Sequence, residues 1–217
     1  MKDRQTQFLV LGLGKFGQSV ARSLCEMGKD VLAVDNDPDV IEAITPYVTQ
    51  VVQADVTDEN ALAALGAGDF DAAVISTGDE RSSILVTVML KELGVKTVIA
   101  KAMDELHARV LKKVGADRII FPERETGQRV AKSLVSPNVM DLMQLSDDYQ
   151  IVELALPVAW AGHTIRSLDV RKRYGLNILA LRRGDTFTVS PSADAALQAN
   201  DILLVLGSLT DIERLSR

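Results

Sequence analysis

Three glycines, Gly12, Gly14 and Gly17, are spaced G-x-G-x-x-G where the apolar run 7–12 (QFLVLG) meets a helical segment running from Phe16 to about Met27. At a strand-to-helix junction this spacing serves phosphate binding. The first glycine permits the tight turn, the second lets the backbone approach a phosphate, and the third lets helix pack on strand. The phosphate then rests on the free N–H groups and the positive end of the helix dipole. A carboxylate about 20 residues further on completes the pattern. Asp35 closes the next apolar run, DVLAVD (30–35), where it can accept hydrogen bonds from ribose hydroxyls. Its charge opposes a 2′-phosphate, which favours NAD, ATP or ADP over NADP. Lys15 and Phe16 lie inside the loop and Asn36 and Asp37 follow the carboxylate; all four are taken as site residues.

Such a loop works only if a sheet holds it. Further short apolar runs read as strands at 51–55, 71–77, 97–102 and 117–122, separated by amphipathic segments. Two of those segments end at Gly94 and Gly115, residues suited to a left-handed helix cap. Six strands alternating with helices predict an α/β, doubly wound parallel sheet of Rossmann type. Ligands of such sheets bind beyond the carboxyl ends of the strands. That rule adds Ala54, Asp55, Ser76, Thr77, Gly78, Lys101, Ala102 and Met103 to the candidate site.

From Glu123 to about Leu145 the pattern predicts helix, with Pro137 as a break and SDDY (146–149) as a hinge. Beyond it the period changes. YQIVELALP alternates like a half-buried strand, SLDVRKRYG reads as a short helix, and NILALRRGDTFTVSP reads as a hairpin around Gly184-Asp185. A final strand, DILLVLGS, precedes a terminal helix. The expected division is therefore residues 1–145, a nucleotide-binding domain with a crossover helix, and 146–217, a small α+β module with a thin core that leans on a partner copy.

Composition narrows the function. Hydrophobic residues make up 47% of the 217 and aromatics only 4%, so the core is aliphatic, as in buried parallel sheets. A net charge of −6 argues against a nonspecific nucleic-acid partner. Cys25 is the only cysteine, which excludes an intrachain disulfide and a cysteine-based zinc cluster. No run approaches roughly 18 uncharged apolar residues, and the expectation is a cytoplasmic protein. Hydride transfer needs an acid or base beside a substrate pocket. The two histidines, His107 and His163, belong to no recognisable catalytic constellation. The expectation is a nucleotide-binding regulator and not an enzyme. The alternatives are a small NAD-dependent oxidoreductase, which would share the glycine loop, and a redox sensor reading NADH against NAD.

The ordered series GLGKFG, LAVD, QAD, ISTGD, AKA and GADRIIFPE resembles the regulator-of-potassium-conductance (RCK, or KTN) family. VRKRYGLNILALRR and NDILLVLG are similar to that family's C-terminal module. The likeness spans the chain and is strongest to the cytosolic subunits of Ktr/Trk-type potassium uptake systems. The resemblance implies a ring of eight RCK subunits built from dimers, peripherally associated with the membrane through a membrane-embedded potassium-translocating partner. It implies that ATP and ADP compete for the Rossmann site, ATP activating and ADP inhibiting, with NAD(H) as a further ligand. By family position, Gly12, Gly14 and Gly17 form the phosphate loop, Asp35 is the ribose carboxylate and Asp55 lies at the adenine edge. His107 falls near a ligand contact. Lys15 stands where relatives often carry an arginine reaching the terminal phosphate. Glu123 matches a glutamate implicated in binding a divalent cation. Arg171, Ile178 and Pro191 match contacts for cyclic di-AMP across a two-fold interface in the C-terminal module.

Overall fold

The computed structural model describes residues 6–135, 139–146 and 148–216. The chain separates into two compact units, Met1–Glu123 and Arg124–Arg217.

In the first unit strands and helices alternate: β1 (Gln7–Leu11), α1 (Lys15–Glu26), β2 (Asp30–Asp35), α2 (Pro38–Ile44), β3 (Gln50–Gln53), α3 (Glu59–Ala64), β4 (Ala72–Ile75), α4 (Glu80–Glu92), β5 (Thr97–Lys101), α5 (Glu105–Lys113) and β6 (Arg118–Ile120). The six strands form one parallel sheet in the order β3-β2-β1-β4-β5-β6. This is the expected doubly wound topology, and its order reverses between β1 and β4. Both faces of the sheet are covered, which explains why its strands are unbroken aliphatic runs. Alternation along β1 divides the core. Leu9 and Leu11 join Leu62, Val86, Leu90 and Leu111 on one side, while Val10 packs with Ala21 and Ile44 on the other.

Helix α6 (Pro122–Val135) begins at the end of the first unit, with proline in the first turn, where its missing N–H is harmless. The helix expected to reach residue 145 stops at Val135. Val139–Gln144 is a strand, β7, paired antiparallel with β8 (Tyr149–Ala155). The physical reason is pairing: an edge strand gains ladder hydrogen bonds that helical periodicity cannot reveal. The segment expected as a hinge is the turn of this hairpin, where the N–H groups of Leu145 and Ser146 both donate to the Tyr149 carbonyl. Residues 124–145 thus fall in the second unit. Pro137 lies outside the described residues.

The second unit continues with α7 (Ile165–Leu168), α8 (Val170–Tyr174), β9 (Asn177–Arg183), β10 (Thr186–Val189), β11 (Ile202–Ser208) and α9 (Leu209–Ser216). Its sheet is antiparallel in the order β10-β9-β11-β8-β7. The expected hairpin at Gly184-Asp185 is present, Thr186 facing Arg183. The single helix expected over 167–175 is two short ones, because Asp169 adopts a left-handed conformation between them. Val152, Leu154, Leu203 and Val205 point from β8 and β11 into a core with Trp160, Leu168 and Leu176. At one end of that core Asp201, 1% exposed, receives Nε and Nη2 of Arg183 at 2.8 Å each and the Gln198 N–H at 2.7 Å.

Candidate functional site

A cleft of about 530 Å³ lies at the carboxyl ends of the strands in the first unit. Its floor is the glycine turn. Gly12 has φ +86°, and a side-chain carbon there would stand 2.7 Å from the Thr77 nitrogen, so β4 and the loop touch backbone to backbone. At Gly17 such a carbon would meet the Gly12 carbonyl oxygen at 2.0 Å. Only glycine at both positions lets α1 begin directly under the loop.

Helix α1 starts without a side-chain cap. Each of the next four helices is capped by an aspartate: Asp37 receives Asp39 N–H, Asp58 Asn60 N–H, Asp79 Ser82 N–H and Asp104 His107 N–H, all at 2.8–2.9 Å. The first-turn N–H groups of α1 at Lys15 and Phe16, which line the cleft, are left for a ligand there. Lys15 is exposed and makes no ion pair among the described residues.

Asp35 does more than wait at the end of β2. Its Oδ2 accepts the Leu13 N–H at 2.5 Å and its Oδ1 the Asp37 N–H at 3.0 Å, tying the glycine loop to the β2 terminus. A carboxylate has about four acceptor positions, so two remain for ribose hydroxyls. At the other end of the cleft, Lys101, mostly buried at the end of β5, forms a hydrogen-bonded ion pair with Glu123 in the first turn of α6. That hydrogen bond holds the Glu123 carboxyl below its usual range. Asp79 is likewise held low, chiefly by the Ser82 hydroxyl and then by its N–H.

The cleft gathers most of the expected residues: Gly12, Gly14, Lys15, Phe16, Asp35, Asn36, Ala54, Asp55, Ser76, Thr77, Gly78, Lys101 and Glu123. Five others do not line it. Gly17 is buried beneath the turn, Asp37 caps α2, Ala102 belongs to the core, and Met103 is exposed beyond β5. His107 is buried. Its Nδ1 accepts the Met103 N–H at 3.3 Å, so Nε2 carries the proton and donates to Ser83 Oγ at 2.8 Å. The Ser83 hydroxyl in turn donates a hydrogen bond to the Glu80 carbonyl. Nε2 thereby ties α5 to Ser83 of α4, while Nδ1 holds the turn that leads into α5. Four lining residues escaped the sequence reading: Val56, Thr57, Asp79 and Ser82. The last two were legible as a helix-cap pattern, D-x-x-S before α4.

Glu123 belongs to no group of three metal-binding side chains among the described residues. A cation there would need oxygens from a bound ligand. In the second unit Arg171 is exposed on the first turn of α8. Ile178 packs partly against the core, and Pro191 follows Ser190, whose N–H donates to the Leu179 carbonyl. No helix among the described residues is long and apolar enough to cross a membrane.

Residues 8–122 match the TrkA-N domain and residues 150–217 the TrkA-C domain. The chain is 42% identical to Ktr system potassium uptake protein C of Bacillus subtilis (strain 168), the match spanning 97% of this chain and 96% of that protein. It is 39% identical to Ktr system potassium uptake protein A of the same organism, with the same coverage. Among solved structures, the GsuK RCK domain superimposes on 100% of this chain and 48% of its own, with a TM-score of 0.68 at 21% identity. The GsuK channel bound to NAD does so over 100% and 40%, with a TM-score of 0.66 at 20% identity. These last two likenesses concern the fold.

Proposed function

Because the chain belongs to the TrkA-N/TrkA-C family that includes the Ktr system potassium uptake proteins, we propose that it is the cytosolic gating subunit of a potassium uptake channel, read out through the nucleotide in its Rossmann cleft. It is a transport component and not an enzyme. The observation that carries the reading is the uncapped start of α1 beneath a glycine turn, facing Asp35 across one cleft. In this reading phosphates rest on the α1 N–H groups, the ribose hydroxyls on Asp35, and the base lies over the end of β3. ATP and ADP compete for that place, ATP favouring the active ring and ADP the inactive one, and NAD(H) shares it.

Charge suggests how the two are told apart. The cleft is lined by four carboxylates (Asp35, Asp55, Asp79, Glu123) against two ammonium groups (Lys15, Lys101), one of which is already paired with Glu123. A third phosphate therefore needs positive charge that is not already paired. We assign that role to Lys15, acting on its own or a dimer mate's nucleotide, and to a divalent cation held between Glu123 and phosphate oxygens. A ligand switches a two-state assembly only through unequal affinity for the states. Moving the balance from 1:99 to 99:1 takes about 5.5 kcal/mol, or about 0.7 kcal/mol per site in a ring of eight. One added phosphate contact per subunit is enough, without hydrolysis. Hydride transfer is less well served, since His107 is buried with both nitrogens engaged and no histidine lines the cleft. In the second unit, Arg171, Ile178 and Pro191 are proposed contacts for cyclic di-AMP across a two-fold interface.

The test is calorimetric titration of the purified chain with ADP, ATP and NAD, singly and in competition, followed by potassium flux with the membrane partner. Mutually exclusive binding of ADP and ATP and opposite effects on flux are expected. Binding of neither would overturn the reading.

A further inference from the structure

The cleft continues beyond Asp35 to the end of β3, where family position puts the adenine edge at Asp55. In the sheet, β3 is the outer neighbour of β2. A ribose held at the end of β2 directs its phosphate back toward β1 and its base outward over the end of β3. There the lining consists of Ala54, Asp55, Val56 and Thr57. Asp55 is the polar side chain at that place able to face a base edge, and it is not free to turn. Its Oδ1 accepts two hydrogen bonds from one residue, the Thr57 N–H at 2.8 Å and the Thr57 hydroxyl at 2.7 Å. The hydroxyl proton is committed to this bond, and among the described residues nothing donates to Oδ2. The same two bonds, the hydroxyl's first, keep the carboxyl below its ordinary range and so ionised. An ionised carboxylate is an acceptor only. Facing the six-position of a purine, it meets a hydrogen-bond donor in a 6-amino base and another acceptor in a 6-oxo base.

We propose that Thr57 is a positioning residue that locks Asp55 with Oδ2 toward the base, so that the cleft selects 6-amino purine nucleotides over 6-oxo ones. The proposal rests on the reading that a purine nucleotide fills the cleft with its ribose at Asp35. Replacing the hydroxyl leaves a single backbone donor on an exposed carboxylate, which then rotates among rotamers and loses its aim. The Asp55→Asn change runs the same logic in reverse. The Thr57 backbone N–H can only donate, so it keeps the amide oxygen toward Thr57 and leaves the amide nitrogen to donate toward a 6-oxo group.

The experiment titrates the full chain calorimetrically with ADP and with IDP, which differ in the six-substituent. The wild type is expected to prefer ADP by about tenfold, the scale of one hydrogen bond to a charged group. Thr57→Val should lose most of that preference through weaker ADP binding with IDP little changed, Thr57→Ser should keep it, and Asp55→Asn should shift it toward IDP. A purely structural role for Thr57 would lower both affinities together and leave the ratio alone, and that result overturns the proposal. So does a wild type that binds ADP and IDP equally, in which case the nucleotide reading itself still stands. If ADP does not bind at all, the nucleotide reading fails first and this one with it. Should Thr57→Val not fold, as judged by circular dichroism, the Asp55→Asn ratio decides alone.

Discussion

Asp35→Asn tests the centre of the site, because Asp35 has two jobs that the substitution separates. The side chain keeps its shape and one oxygen but loses its charge, and its new NH2 group must face one of two backbone donors, Leu13 N–H or Asp37 N–H. In the free protein one short contact becomes a donor–donor clash, worth about 1 kcal/mol at this half-buried position. For a chain of this size that lowers the melting temperature by about 3 °C. In the complex the ribose also loses a charged acceptor, which costs about 1.5–3 kcal/mol and reduces affinity by roughly 10- to 100-fold. The ribose is common to ADP, ATP and NAD, so all three should weaken by the same factor in calorimetry. An unchanged ADP affinity with the melting temperature lowered would leave Asp35 as a strut for the loop and nothing more. A loss confined to one nucleotide would mean that the shared ribose is not what the carboxylate meets.

Gly17→Ala should abolish nucleotide binding and destabilise the chain by about 3 kcal/mol, the upper range for overpacking, because its methyl meets the Gly12 carbonyl at 2.0 Å and neither backbone can yield. Thermal melts and calorimetry check both, and a variant of wild-type affinity would show that α1 shifts freely under the loop. Lys15→Ala should weaken ATP more than ADP and reduce ATP-stimulated potassium flux; equal losses would make it a general phosphate anchor. Asp201, the buried one among the carboxylates held low, contributes a pH dependence. Arg183 and the Gln198 N–H depress its carboxyl in the native state, so its stabilisation is present above the unfolded value near pH 4 and is lost as pH falls through the lower native value. Asp201→Asn should therefore cost about 2–3 kcal/mol in urea melts at pH 7, and the gap to wild type should narrow below about pH 4. A gap that does not change with pH would mean that charge plays no part.

Much of this protein was legible from local pattern. The parallel sheet, the glycine turn and Asp35 follow from runs of fixed period and from residues at fixed offsets, which depend on near neighbours alone. So does the hairpin at Gly184-Asp185, whose turn residues carry their own signal. Tertiary structure decided the rest, wherever the outcome depends on what lies across space. Strand β7 could not be read because an edge strand is defined by its partner β8, which supplies the ladder that its own sequence does not announce. His107 was placed near a ligand by family position, but the packing of α4 on α5 brings the Ser83 hydroxyl to its Nε2 while the local Met103 N–H takes Nδ1, so the ring is committed to the core. Thr57 was invisible for the same reason. A threonine two residues past an aspartate is common, and it is the strand order β3-β2-β1, set by crossovers between distant segments, that puts this one at the rim of a cleft whose floor lies 40 residues away in the chain.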